Sequence, residues 1–173
     1  MDIKKLDPIG VEITGLNLKT INKDQSEQIK ENFLESSVVV IRNQDLSPAD
    51  LKQISNLWGK ALIHPVFKGI EGHPEIIEIR NYGEKYHTNA HWHSDVTFEE
   101  APPDATLLYS LEVPKEGGDT LFSSQHLAYD ELDSNLKSKL FDKKAVHSNA
   151  GVLMLSGGDP KKAKTVEHPI FRE

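Results

Sequence analysis

Between residues 75 and 123 the chain is cut into short β-prone runs by glycine- and proline-bearing turns, and this constrains its fold more than any other feature. Residues 76–80, 91–98, 105–113 and 119–123 each read as a strand. Residues 81–89 and Glu116-Gly117-Gly118 supply turns between them. Short strands at this spacing suit a sandwich or jelly roll rather than a doubly wound parallel sheet. No glycine-rich phosphate loop follows a strand, so a nucleotide site is not expected.

The flanks read differently. Residues 10–18 have strand character, with Val11 and Ile13 on one face. Asn22 is placed to cap a helix, with Gln25 three residues on as its capping-box partner. Ile29 and Phe33 mark the buried side of that helix at i, i+4 spacing. Residues 38–41 are β-branched throughout and predict a strand buried on both faces. Ser47-Pro48 is a cap followed by a first-turn proline, and Leu51, Ile54, Leu57 and Trp58 form the apolar stripe of a second helix. Two further helices are predicted over 125–132 and 134–142, the latter with Leu136 and Leu140 on its apolar face. Residues 151–164, with Gly157-Gly158-Asp159-Pro160, read as a mobile loop, and Pro169-Ile170-Phe171 as the start of another strand. The pattern is mixed α+β, read as one domain over residues 1–173.

Composition narrows the function. The chain has 173 residues, no cysteine, and 27 acidic against 20 basic side chains, a formal net charge of −7. Without cysteine there is no disulfide framework, thiolate zinc site, iron–sulfur cluster or cysteine nucleophile. The acidic balance argues against nucleic acid or an anionic membrane surface as a partner. The aliphatic runs are far shorter than a bilayer span, and the first ten residues lack a signal peptide's apolar stretch. The expected compartment is the cytoplasm.

Chemistry concentrates in His91-Trp92-His93-Ser94-Asp95. On a strand, His91, His93 and Asp95 share one face. Neighbours two apart lie about 6.8 Å apart along a strand, and two such side chains can converge on one ion. Residues four apart, about 13 Å, cannot both reach it on a straight strand. The spacing therefore allows His91 with His93, or His93 with Asp95, and a third ligand must come from elsewhere. A His-x-Asp pair arises easily by chance in a chain with eight histidines, so the surrounding residues must decide.

Those surroundings carry a resemblance. Trp92-His93-Ser94-Asp95-Val96-Thr97-Phe98, then Pro102-Pro103, then Gly117-Gly118-Asp119-Thr120, and earlier Ile63-His64-Pro65-Val66, match in order and spacing. Over about residue 7 to the last, the chain resembles the taurine dioxygenase and 2,4-dichlorophenoxyacetate dioxygenase family, nearest its taurine branch. These are iron(II)- and 2-oxoglutarate-dependent oxygenases built on a double-stranded β-helix, a jelly-roll core. The resemblance implies such a core here, with N-terminal α/β additions and helical insertions. It implies Fe(2+) as metal and 2-oxoglutarate as co-substrate. His93 and Asp95 then match two of the three iron ligands, and Thr120 the threonine that bonds a 2-oxoglutarate carboxylate. His64 and Asn89 match positions near the substrate's sulfonate. Phe67, Trp92, Val96 and Phe98 match the pocket lining, with Phe67 where the branch often has tyrosine. His91 matches no metal position. Each assignment has a plainer reading: Trp92, Val96 and Phe98 as core, His64 as a loop histidine bonded to backbone, Thr120 as a β-former.

The implied reaction converts 2-oxoglutarate and oxygen to succinate and carbon dioxide while a substrate carbon is hydroxylated. On a carbon bearing a sulfonate, the product collapses to sulfite and an aldehyde. The expected substrate is a small anionic organosulfur acid such as taurine. A homo-oligomer is left open by the family's habit of associating. The family pattern also runs on beyond Glu173, to a distal histidine ligand and to arginines that hold 2-oxoglutarate and substrate. The expectation is thus an incomplete dioxygenase domain, short of its closing strands and inactive alone. Two other readings compete. One is a non-catalytic, truncated relative that binds an anion or a partner chain. The other is a zinc hydrolase, since His91-x-His93-x-Asp95 is similar to the His-x-His-x-Asp-His signature of metallo-β-lactamase-type enzymes, although Val96 breaks that match.

Overall fold

A computed structural model describes residues 1–80 and 91–172 of the chain. The chain divides into two compact units, Met1–Lys60 with Leu108–Leu132, and Ala61–Leu107 with Asp133–Glu173. No helix among the described residues is long and apolar enough to cross a membrane.

The first unit is organised around a three-stranded sheet in the order β1-β2-β3. β1 (Asp2–Lys5) runs antiparallel to β2 (Val11–Thr14), and β2 runs parallel to β3 (Val39–Ile41). A parallel pair needs a crossover, and α1 (Lys23–Ser36) supplies it. Val11 and Ile13 are 1% and 0% exposed, as their shared face predicts, and they anchor the core. Burying a side chain such as Ile13 stabilises the fold by about 1.5–3 kcal/mol. β3 is only half-buried along its length, rather than buried on both faces. Gly10 adopts φ +98 just before β2, and a Cβ there would press on the Val38 carbonyl at 3.3 Å, so glycine is required.

Both predicted caps form. The Asn22 side chain accepts from the Gln25 amide at 2.9 Å, and the Gln25 side chain accepts from the Asn22 amide at 3.1 Å. α2 (Pro48–Ser55) starts likewise, with reciprocal bonds between Ser47 and Asp50. Those bonds, with Lys19 nearby, hold the Asp50 carboxyl below its usual range. Phe33 and Trp58 meet edge to face at 5.1 Å. Gln44 ties the loops together, accepting from the Leu18 amide and donating to the Leu16 and Arg42 carbonyls. The Tyr109 hydroxyl donates to the Gln44 carbonyl and accepts from the Leu46 amide, each at 3.1 Å. α3 (Gln125–Glu131) is capped by Ser124.

In the second unit, α4 (Ser134–Leu140) precedes β4 (Lys144–Ser148), which pairs antiparallel with β5 (Thr165–Pro169). The segment predicted as a mobile loop instead contains α5 (Ala150–Leu155) and a 3-10 turn at Pro160–Lys162. Gly157, at φ +78, ends α5, and the Gly158 amide donates back to the Leu153 carbonyl at 2.7 Å. The buried Asn149 side chain accepts from the Lys164 amide and closes this excursion. Pro169 ends β5, and Ile170 and Phe171 follow it outside any strand.

The four central strands predicted at 76–80, 91–98, 105–113 and 119–123 do not form among the described residues. Residues 105–113 and 119–123 join no helix or strand, and Leu108, Leu111, Val113 and Leu121 are exposed. A β-prone run becomes a strand only when another backbone completes its ladder. Residues 91–98 fail for a further reason: Val96 takes φ +53 and the chain turns at residues 95–98. The predicted turn at 81–89 lies outside the described residues. The mixed α+β character stands.

Candidate metal centre

The turn at residues 95–98 is closed by the Glu99 amide donating to the Val96 carbonyl at 3.1 Å. A β-branched residue rarely enters the left-handed region, and the surrounding structure must hold Val96 there. This turn corrects the straight-strand reading that placed His91, His93 and Asp95 on one face. It nevertheless joins one of the two pairs that spacing allowed: His93 Nε2 lies 3.3 Å from Asp95 Oδ1. His91 serves the pair through its backbone, its carbonyl lying 2.7 Å from His93 Nδ1.

That contact places a proton on Nδ1. A carbonyl oxygen can only accept, so Nδ1 carries the proton. In the neutral ring, Nε2 then presents a lone pair to the Asp95 carboxylate. Two acceptors 3.3 Å apart repel unless a proton or cation lies between them. Two bonds of about 2.1 Å, meeting at slightly more than a right angle, span that separation. One imidazole and one carboxylate are also the donor types a 2-His-1-carboxylate iron(II) site uses. The pair therefore fits part of such a centre. Both side chains are about half exposed. Among the described residues, no group of three or more metal-capable side chains comes together.

Thr106 was missed by sequence reasoning. Its hydroxyl donates to Asp95 Oδ2 at 2.8 Å. A threonine in a β-prone run carries no signal of this kind.

His64 is held by its own backbone. Its Nδ1 accepts from the Val66 and Phe67 amides at 3.1 and 2.9 Å, which leaves the proton on Nε2. Burial lowers its pKa, and the opposing pull of Asp95 and Glu99 is weaker. His64 is thus a neutral ring offering one N–H donor. The Phe67 ring lies 4.9 Å from it, tilted, and the Phe98 ring 6.1 Å from it, edge-on. Phe98 is buried, Val96 is half-buried, and Trp92 is 71% exposed and so not core. Thr120 belongs to the other unit, where it is exposed and follows two left-handed glycines, Gly117 and Gly118. Asn89 lies outside the described residues. An open cleft in the unit of His93 and Asp95, lined by Phe98, Glu99, Ala101, Lys164 and Val166, includes neither of the two.

The chain is similar to proteins of known activity and structure. The chain is 33% identical over 145 residues to an alpha-ketoglutarate-dependent sulfate ester dioxygenase of Pseudomonas putida, covering 82% of this chain and 47% of the relative. It is 28% identical over 189 residues to an alpha-ketoglutarate-dependent sulfonate dioxygenase of Saccharomyces cerevisiae, covering 99% and 46%. The crystal structure of a taurine dioxygenase from Burkholderia xenovorans superposes with a TM-score of 0.80 at 29% identity, covering 99% of this chain and 58% of that one. The chain thus spans about half the length of these curated relatives. The pattern of the "Taurine catabolism dioxygenase TauD, TfdA family" matches residues 2–173, and to that family the chain belongs.

Proposed function

We propose that these residues supply the His-x-Asp part of the iron(II) site, and part of the substrate pocket, of a 2-oxoglutarate-dependent dioxygenase acting on a small organosulfur acid. The observation that carries this reading is the His93–Asp95 pair, in which the imidazole Nε2 lies 3.3 Å from a carboxylate oxygen. The relatives named above act on sulfonates and sulfate esters, which supports an anionic sulfur headgroup here too. The ion supplies the oxygen-dependent hydroxylation chemistry when bound.

The chain's own residues do the rest. His93 and Asp95 hold the metal on one side, so that other positions stay open for 2-oxoglutarate and oxygen. His64 turns its neutral Nε2–H toward the headgroup, and Asn89 adds a second donor. Phe67, Val96, Trp92 and Phe98 cover the substrate's carbon skeleton and exclude water. For Thr120, in the other unit, the resemblance implies a bond to a 2-oxoglutarate carboxylate. The jelly-roll core is part of the same reading, supported by the match to the Burkholderia structure. The finer expectation is taurine or a similar sulfonate, with loss of sulfite from the hydroxylated carbon.

The test is turnover by the protein as its gene encodes it. With iron(II), 2-oxoglutarate and oxygen, a panel of alkyl sulfates, alkyl sulfonates and aryloxy acids is scored for succinate, sulfite and sulfate. Succinate formation coupled to a sulfur acid is the predicted outcome. Sulfite from taurine supports the finer expectation. Succinate coupled only to an aryloxy acid overturns the substrate class, and no substrate-coupled succinate overturns the reaction.

A further inference from the structure

Asp95 has two carboxylate oxygens in different surroundings. Oδ1 faces His93 Nε2 at 3.3 Å, while Oδ2 accepts the Thr106 hydroxyl at 2.8 Å. Thr106 lies eleven positions after Asp95. Between them the chain turns at residues 95–98 and bends at 99–101 and at 104. His93 is braced in the same manner, with its Nδ1–H held by the His91 carbonyl at 2.7 Å. Each member of the pair therefore has one polar atom tied back to a group that is not itself a metal donor, and its other polar atom aimed at its neighbour.

We propose that Thr106 is a positioning residue for the metal centre: its hydroxyl engages Asp95 Oδ2 so that the carboxylate meets the ion through Oδ1 alone. This rests on the reading of His93 and Asp95 as metal donors. A carboxylate half exposed to water is otherwise free to rotate or to bind through both oxygens. Binding through both would occupy a position the co-substrate needs. A hydroxyl-to-carboxylate bond is charge-assisted and stronger than a neutral one. Partners that orient a ligating carboxylate contribute about 10–100-fold to metal affinity. Thr106 supplies no charge and no donor to the ion, so its effect runs through Asp95.

The test measures cobalt(II) affinity by calorimetry, and the melting temperature without metal, for the protein as encoded and four variants. Thr106→Val keeps the side chain's shape and removes the hydroxyl. Thr106→Ser restores it, Thr106→Ala serves if the valine variant does not fold, and Asp95→Ala removes the donor itself. The expected result is affinity weakened about 10–100-fold in the valine or alanine variant and restored to near the parent value by serine. The metal-free melting temperatures of Thr106→Ser and the parent should agree. If Asp95→Ala abolishes binding while Thr106→Val binds like the parent, the Thr106 role is wrong and the metal reading stands. A serine variant as weak as the valine one also overturns the hydroxyl's role. If Asp95→Ala binds like the parent, or the parent binds no cobalt(II), the metal reading falls and the Thr106 role falls with it.

Discussion

The β1–β2–β3 segment and the segment that carries His93 and Asp95 are held in different ways. In the first, backbone bonds run along paired strands, two helices begin in reciprocal caps, and Val11 and Ile13 are shut away from water. In the second, residues 91–106 form no ladder, Val96 sits in the left-handed region, and single bonds from the His91 carbonyl and the Thr106 hydroxyl orient the two donors. The most fully buried side chains lie in the first, and the proposed metal donors in the second. A turn with half-exposed side chains leaves donors open to an ion and a co-substrate, which a packed strand does not.

The contrast is sharpest for two apolar side chains. Ile13→Ala is expected to lower stability in urea by about 2–5 kcal/mol, because it empties a fully buried site. Trp92→Ala, at a residue 71% exposed, is expected to change stability by no more than about 0.5 kcal/mol. Equal costs for the two would erase the distinction. A smaller loss is expected at the caps. Ser47→Ala removes the acceptor for the Asp50 amide and should cost about 1 kcal/mol in the same denaturation series. No change there would mean that α2 is held by packing alone.

The smallest effect is a proton. Burial places the His64 pKa below the ordinary value of 6.5, against the weaker pull of Asp95 and Glu99. Between that lowered value and 6.5, the unfolded chain binds a proton that the folded chain does not. The neutral ring's contribution to stability is therefore complete above 6.5 and is lost as pH falls through the folded-state pKa. Nuclear magnetic resonance of the ring should give a midpoint below 6.5, and a midpoint above it would show that the carboxylates dominate.

The parts of this structure legible in the sequence are those with local causes. Asn22 with Gln25 and Ser47 with Pro48 announce helix starts within four residues, and both starts form where the pattern puts them. The alternation at Val11 and Ile13 likewise fixes a buried face. Gly157 could have ended a helix on paper, and α5 was misread because the glycine and lysine content around it outweighed its short apolar run. The central strands depended on partners that a β-prone run cannot name for itself. His93 and Asp95 were legible as a candidate pair, but their convergence comes from a turn at Val96 that a β-branched residue does not advertise. Thr106 was invisible because its role comes from turns and bends in the chain, not from spacing along a strand.

The central claim is that His93 and Asp95 hold a catalytic metal. Its most direct measurement is anaerobic titration of the protein with iron(II) in the presence of 2-oxoglutarate, followed by the charge-transfer absorption of the chelated co-substrate. The protein as its gene encodes it is predicted to develop that absorption with one equivalent of iron, and its His93→Ala and Asp95→Ala variants are each predicted to lose it. Undiminished absorption in either variant would contradict the claim.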